Sequence, residues 1–383
     1  MRSSVGSYIG AAVQVAIGRN PAVLSKPERL YLDHAATTAV LPQAQAAIVR
    51  ALEGWANPSS PHADGRRARA ELEKARQIIA DELGWRHDVV LTGGGSEAIQ
   101  IAASRAKVDR RIVGSTEHEA VVAAMGSGAI VLRVDENGLI DLAGLETALS
   151  GGPALVAIQL ANNETGVIQP LDQIYRLVRE AGSLLLADCA QSAGKIALPD
   201  ADFIDIASQK FGGPPGSGAL LVKDLATLVP SGGQERGYRR GTENLPGAAG
   251  MAAALASRAF KNAMPRLEEL RRYFEAQITG SGGIVIAADA PRIATIGAYA
   301  MPGVASSSQL VQLDLAGISV SAGSACSSGS MKSSSILSAM GLEPELAATV
   351  IRVSFGPDTN RADIERLLSQ WRSIKGRSKA EAA

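Results

Sequence analysis

One of the two cysteines in this 383-residue chain lies in a segment of small and polar residues. Cys326 belongs to the run GSACSSGS at residues 323–330, where few apolar neighbours are available to bury it. A structural cysteine normally packs among apolar side chains, whereas a reactive thiolate needs partial exposure and polar surroundings. The segment therefore predicts a nucleophilic cysteine, and a tethered surface thiol is the alternative.

An aspartate and a lysine follow two other apolar runs. Asp188 ends the run SLLLAD, and Lys210 follows DFIDIASQ, directly before a glycine-proline loop. A carboxylate there is costly unless a cation or hydrogen-bond donors accompany it, and a lysine drawn into a pocket can form a Schiff base. Together with an anion site these are the parts that pyridoxal phosphate requires. The alternative for each residue is a solvated loop charge.

The run TGGGSEA at residues 92–98 predicts such an anion site. Three glycines leave backbone N–H groups uncovered, and a helix with Ser96 at its N-cap would direct its positive end there. The alternative is an ordinary glycine turn that joins a strand to a helix, which would have the same sequence pattern. His118 in STEHEAV and Asn163 in NNETG also follow apolar runs, although each alone is typical of a turn or a satisfied polar residue.

The elements that must position these residues alternate between short apolar runs and helical periods. The predicted strands are DVVLTGGG, which enters a glycine turn, RRIVGST, AIVLRV, ALVAIQLAN, SLLLADCAQ, DFIDIAS and SGALLVKD, and PLDQIYRLVREAG predicts a helix closed by Gly182. This order predicts an α/β fold with a mostly parallel seven-stranded sheet between helices. Ligands bind at the carboxyl ends of strands in such sheets, which is where the candidate residues lie.

A shift of composition near residue 260 predicts two domains. Residues 42–260 would form the large cofactor-binding domain, and residues 261–383 a smaller α+β domain that carries Cys326. Residues 1–41 would form an N-terminal extension and a segment that joins the small domain. The apolar run at residues 5–18 is too short to span a bilayer.

Charge and cysteine content narrow the choice of partners. Thirty-eight basic residues balance 38 acidic ones and no basic tract is visible, which disfavours nucleic acid and an anionic membrane and favours a metabolite. Cys189 and Cys326 lack the spacing of a disulfide framework, and with four histidines they form no zinc template. A cytoplasmic protein without a metal is predicted.

In their order along the chain, these segments resemble the cysteine desulfurases of the class V aminotransferase family. The matching segments are YLDHAATT, NPSSPHADG, TGGGSEA, TEHEAV, NNETGVIQP, DCAQSAGK, QKFGGPPGSGAL, ERGYRRGTEN, SAGSACSSG and IRVSFG. They extend from about residue 30 to residue 356. The resemblance implies a fold type I pyridoxal-phosphate enzyme that acts as a homodimer. It would convert L-cysteine to L-alanine and pass sulfur to an acceptor or iron-sulfur scaffold protein.

The resemblance also implies the residues of the reaction. Lys210 would form the Schiff base and move protons, and Cys326 would attack the substrate sulfur and carry the persulfide. His118 would stack on the cofactor ring, Asp188 would bind the pyridinium nitrogen, and Gln191 would bind the phenolic oxygen.

Further residues are implied for the phosphate and the substrate. Gly95 and Ser96 would hold the phosphate, joined by Thr242 of the neighbouring subunit. Asn163 and Arg352 would bind the substrate carboxylate, for which the two-pronged guanidinium is suited.

The segment IASQK departs from the family pattern. Gln209 stands where the family has histidine, and glutamine can donate a hydrogen bond but cannot become a cation. Ala207 and Ser208 occupy the places where a phosphate-binding serine is common, so Ser208 and Gln209 are both candidates for cofactor binding. Pro215 stands where lysine is frequent. Two other functions therefore stay open: a weakly active paralogue that acts as a scaffold, and a selenocysteine lyase. A transaminase would have no use for Cys326.

Overall fold

The computed structural model describes residues 29–323 and 334–381, so Cys326 and the run at residues 5–18 lie outside the described residues. The strands are β1 (Leu30–Tyr31), β2 (Asp88–Thr92), β3 (Arg110–Gly114), β4 (Ile130–Leu132), β5 (Ala154–Gln159), β6 (Leu184–Asp188), β7 (Phe203–Ala207), β8 (Gly218–Val222), β9 (Ile284–Val285), β10 (Ile296–Ala300), β11 (Ile318–Ser319) and β12 (Val350–Ser354). The helices are α1 (Pro42–Glu53), α2 (Ala63–Leu83), α3 (Gly95–Arg105), α4 (Glu119–Met125), α5 (Leu142–Leu149), α6 (Leu171–Glu180), α7 (Leu245–Ala256), α8 (Ala259–Gly280), α9 (Ser306–Leu315), α10 (Ser335–Ala339), α11 (Pro344–Ala347) and α12 (Arg361–Glu381).

The seven strands β2 to β8 form one sheet in the order β2-β8-β7-β6-β5-β3-β4. Strand β8 is antiparallel to both of its neighbours, β2 and β7, and the other six strands run in one direction. The predicted α/β fold with a mostly parallel seven-stranded sheet is confirmed. Because these six strands share a direction, the carboxyl ends of β2, β3, β5, β6 and β7 lie along one edge of the sheet.

Helices cover both faces of this sheet, as its strands require. Residues of β5, β6, β7 and β8 are buried throughout, and such continuous apolar runs are typical of strands packed on two sides. One face packs against α1, α2, α5, α6 and α7, and the other against α3 and α4. Helix α6 ends at the predicted place, where Gly182 adopts the left-handed conformation with φ 64°.

A second, antiparallel sheet has the order β12-β10-β9 and packs against α8, α9 and α12. Its core includes Trp371, Phe274 and Tyr299, all buried. The two-residue strand β1 pairs with β11, and Asp33 forms a bridge with Ser354 of β12. The second sheet thereby brings β12 beside the segment that follows β1.

Among the described residues, none of the helices has both the length and the apolar character that a membrane span needs.

Candidate active site

Nine of the residues predicted for the site line one pocket at the carboxyl edge of the large sheet. They are Gly95, Ser96, His118, Asn163, Asp188, Gln191, Gln209, Lys210 and Arg352. The first eight follow β2, β3, β5, β6 and β7, and Arg352 comes from β12 of the second sheet. Most of the pocket is thus formed by residues that follow strands of the large sheet. The second sheet contributes the positively charged side chain of Arg352.

Lys210 is held by backbone carbonyls of the segment that follows β1. It ends a short 3-10 turn after β7, and its Nζ donates hydrogen bonds of 2.8 Å to the carbonyl oxygens of Ala35 and Ala36. Both alanines also line the pocket. The lysine amine therefore faces the pocket in a defined orientation.

Asp188 is a buried carboxyl at the end of β6. Its Oδ1 accepts a hydrogen bond of 2.8 Å from the backbone N–H of Ala190. Burial raises the pKa of Asp188, and this hydrogen bond and the charges of His118 and Lys210 act in the opposite direction. A carboxylate surrounded in this way is suited to a cationic partner inside the pocket.

His118 begins α4 as its N-cap residue. Its Nδ1 accepts a hydrogen bond of 3.1 Å from the backbone N–H of Ala120, so the proton of the neutral ring lies on Nε2. The cap fixes the position of the ring at the wall of the pocket. The predicted interpretation of His118 as a ring that packs on a ligand fits this fixed position.

Several polar atoms at the pocket have no protein partner. Gln191 donates to the carbonyl oxygen of Ala35 at 2.9 Å, but its Oε1 is unpaired, and so are the Oδ1 of Asn163 and the Oε1 of Gln209. Buried polar atoms normally have hydrogen bonds, so a cluster of unpaired ones around a cavity indicates a ligand site.

The N-terminus of α3 forms another wall. The N-cap residue is Gly94, with φ 153°, and the helix begins at Gly95. The prediction that Ser96 caps this helix is wrong by two residues: Ser96 lies inside the first turn, and the cap makes no side-chain hydrogen bond. Gly218 is required here, because a Cβ on it would lie 2.7 Å from the carbonyl carbon of Gly94. The positive end of α3 faces the pocket as predicted.

Two predicted site residues lie elsewhere. Ser208 is fully buried, has an unpaired Oγ and does not line the pocket. Thr242 is exposed and does not line it either. Cys326 lies outside the described residues. The other cysteine, Cys189, is buried under the sheet edge, and burial raises the pKa of its thiol well above the usual range.

Sequence reasoning missed three acids at this site. Asp33 binds Arg352, Asp205 lines the pocket beside Asp188, and Glu117, next to His118 in the chain, is buried. For Asp205 a signal existed, because an acid between Ile204 and Ile206 interrupts an otherwise apolar strand.

Comparisons with known proteins show what the chain is similar to. The model of the family Aminotransferase class-V matches residues 30–367. A cysteine desulfurase of Cereibacter sphaeroides is 36% identical over 371 residues, with 89% of this chain and 94% of that protein covered. An IscS-like cysteine desulfurase of Mycobacterium tuberculosis is 35% identical, with 88% and 94% covered.

Two solved structures resemble the chain in fold. A NifS-like protein from Rickettsia africae has a TM-score of 0.84 and 28% identity, with 91% of this chain and 99% of that chain covered. The structure described as SspA in complex with cysteine has a TM-score of 0.75 and 28% identity, with 86% and 99% covered.

Proposed function

This chain belongs to the class-V aminotransferase family, together with cysteine desulfurases, and from that premise we propose that it is a pyridoxal-phosphate-dependent cysteine desulfurase. The reaction would convert L-cysteine to L-alanine and leave the sulfur as a persulfide on Cys326. The observation that carries the proposal is the single pocket in which Lys210, Asp188 and Arg352 meet.

The residues present fit pyridoxal phosphate. Asp188 offers a carboxylate for the ring nitrogen, Lys210 supplies an amine, and the Nε2 of Gln191, which donates to Ala35, has a second N–H for the phenolic oxygen. Gly95 and Ser96 at the positive end of α3 suit a phosphate. When bound, this cofactor supplies the electron sink that allows the Cα–H and Cβ–S bonds of the substrate to break.

The protein groups would divide the remaining work. Arg352 and Asn163 would hold the substrate carboxylate, and the amine of Lys210 would take the Cα proton and later return a proton. The thiolate of Cys326 would attack the substrate sulfur, so that an S–S bond forms as the Cβ–S bond breaks. The electron pair of that bond stays with carbon, which is protonated, and alanine is released.

The two cysteines provide a matched test. We expect apo-protein loaded with pyridoxal phosphate to release alanine from L-cysteine in the presence of a thiol reductant. Cys326→Ala should lower this rate at least about hundredfold, because the nucleophile is lost. Cys189→Ala should stay close to the wild type, because Cys189 is buried and its raised pKa keeps it a thiol. Equal rates in wild type and Cys326→Ala would exclude the proposed role of Cys326.

We further propose a homodimer whose subunits share the phosphate site through Thr242. Thr242 is exposed in the single chain, which fits a residue that serves a neighbouring pocket. Helix α1 exposes Val49 and Leu52, and Trp55, two residues beyond its end, has 82% of its surface accessible. Such a row of apolar side chains is typical of an interface. Light scattering should give twice the mass of one chain, and a monomer mass would contradict the proposal.

Two finer predictions accompany this function. Sulfur would pass from Cys326 to an acceptor or iron-sulfur scaffold protein, and the protein would act in the cytoplasm. Transfer of labelled sulfur from the loaded enzyme to purified candidate acceptors tests the first.

A further inference from the structure

Asp205 is a buried acid whose charge the reaction outlined above does not use. It lies on β7 directly opposite Asp188 of β6, and it lines the same pocket. Its side chain is inaccessible to solvent, and both of its carboxyl oxygens lack a hydrogen-bond partner. An ionised carboxylate is costly in such a place, because burial removes the solvation that would compensate its charge.

The carboxyl group of Asp205 lies beneath the first turn of α3. A Cβ built on Gly95 would be 3.3 Å from Oδ2 of Asp205 and 3.4 Å from the Cβ of Ala207. This is the positive end of an eleven-residue helix, and the same turn supplies the anion site of the pocket. A negative charge on Asp205 would therefore act on the same helix end that a phosphate needs.

The surroundings decide which of the two neighbouring acids holds a proton. Asp188 has the N–H of Ala190 at 2.8 Å and the charges of His118 and Lys210 in its favour. Asp205 has less support: burial raises its pKa well above the usual range, the nearby acids Asp188 and Glu117 raise it further, and only its own backbone N–H acts in the opposite direction. Two like charges side by side do not both ionise readily.

Among the described residues, the other elements packed against Asp205 supply no compensating positive charge. Its partner on β8 is Leu220. Glu97 of α3 accepts a hydrogen bond from the N–H of Gly93 and pairs with Arg239, so it is engaged on the far side of the turn. These surroundings favour the ionised form of Asp188 over that of Asp205.

We propose that Asp205 controls the affinity of the pocket for the phosphate group of its cofactor. In the neutral form it leaves the positive end of α3 available to the phosphate, and in the ionised form it opposes the phosphate. The inference rests on the proposed cofactor, pyridoxal phosphate, and makes assembly of the loaded enzyme depend on pH through one residue.

The test compares dissociation constants of pyridoxal phosphate for apo-protein between about pH 6 and about pH 10, a range in which a raised carboxyl pKa is detectable. The visible absorbance of the bound cofactor reports binding without any turnover. The variants are Asp205→Asn, which has the same shape and cannot ionise, and Asp109→Asn, which removes an exposed carboxylate outside the pocket. Asp205→Ser serves in place of Asp205→Asn if the latter does not fold.

We expect the wild type to lose affinity relative to Asp205→Asn as pH rises, by up to about tenfold per pH unit while Asp205 ionises. Asp109→Asn should follow the wild type. The ratio of wild type to Asp205→Asn should stay flat with pyridoxal, which lacks the phosphate. A flat ratio with pyridoxal phosphate, or an equal change with pyridoxal, would overturn the inference and leave the proposed function standing. If neither protein bound pyridoxal phosphate at any pH, the proposed cofactor itself would be wrong, and the inference with it.

Discussion

Arg352 donates one hydrogen bond to the carboxylate of Asp33 and another to the backbone carbonyl of Asn163, at 2.8 and 2.9 Å. Arg352 is only 3% exposed, and the Nε of its guanidinium has no partner among the described residues. Asp33 and Arg352 are separated by 319 positions in the chain, and the bridge between Asp33 and Ser354 brings them together. The cation that we assign to the substrate carboxylate is therefore held in place by two fixed acceptors.

We expect Arg352→Lys to weaken substrate binding more than turnover. Lysine keeps the charge but cannot satisfy Asp33, Asn163 and a substrate carboxylate at once. A charged hydrogen bond contributes about 1.5–3 kcal/mol, so KM for cysteine should rise about 10- to 150-fold with a smaller change of kcat. Steady-state kinetics measures both constants.

Arg361→Lys is the control for this substitution. Arg361 is exposed on α12 and pairs with Glu365 far from the pocket, so its replacement should leave both constants unchanged. An unchanged KM in Arg352→Lys would contradict the assignment of Arg352 to the substrate.

Lys195 is a buried lysine that should make stability depend on alkaline pH. Its Nζ lies 4.9 Å from the ring centre of Phe260, and burial, followed by the charge of Lys210, lowers its pKa to about 7. In the unfolded chain its pKa is about 10.4, so between these values the unfolded state binds more protons and stability rises with pH.

The free energy of unfolding should therefore gain about 1.4 kcal/mol per pH unit from Lys195 between about pH 7 and pH 10. Lys195→Met should remove that part of the slope, and Lys74→Met, at an exposed position of α2, should not. Denaturant titrations at several pH values measure the slope. Parallel curves for wild type and Lys195→Met would show that Lys195 does not titrate in this window.

Local patterns predicted the strand ends of the site well. Asp188 and Lys210 were identifiable because Asp188 ends one mainly apolar, buried strand and Lys210 closely follows another, and parallel strands bring such ends to one edge. The N-cap of α3 was misplaced because three consecutive glycines offer no capping side chain to mark where the helix begins.

Long-range contacts set the limit of the sequence reasoning. Nothing local to Asp33 indicates that it meets Arg352, and the role of Asp205 depends on β8 lying between β2 and β7, so that β7 is central and both of its faces are covered. An acid on an edge strand would be exposed to solvent, and its presence would not indicate a buried carboxyl in the site.

Gln209 is the departure from the family pattern that a single substitution can test. Its side chain lines the pocket, with Oε1 unpaired, and its backbone carbonyl accepts a hydrogen bond from Thr38 at 2.8 Å. Gln209→His restores a side chain that can carry a positive charge. We expect tighter binding of pyridoxal phosphate, with a gain of about 3- to 10-fold that grows as pH falls below about 6.5.

The same dissociation constants measured with Gln209→Asn control for shape, since asparagine is shorter and cannot ionise. A gain that did not vary with pH would assign the effect to hydrogen bonding instead of charge.

Glu164 is a buried acid that should make the folded protein less stable as pH rises. It follows Asn163 after β5, and its Oε2 accepts a hydrogen bond of 2.6 Å from Ser334, at the start of α10. Burial raises the pKa of Glu164, and the hydrogen bond and Arg352 offset only part of that effect. Because its pKa is higher in the folded state, the folded state binds the proton more tightly, and stability falls as pH rises through the folded pKa.

Glu164→Gln keeps an oxygen that can accept from Ser334 and removes the ionisation. We expect the variant to match the wild type in melting temperature below about pH 4.3, where the wild-type carboxyl is protonated in both states, and to become the more stable protein as pH rises. Glu180→Gln, at an exposed position near the end of α6, should show no such trend. A wild type that gained stability over Glu164→Gln with rising pH would mean that Glu164 is ionised and paired in the fold, and that its contact with Ser334 is a charged one.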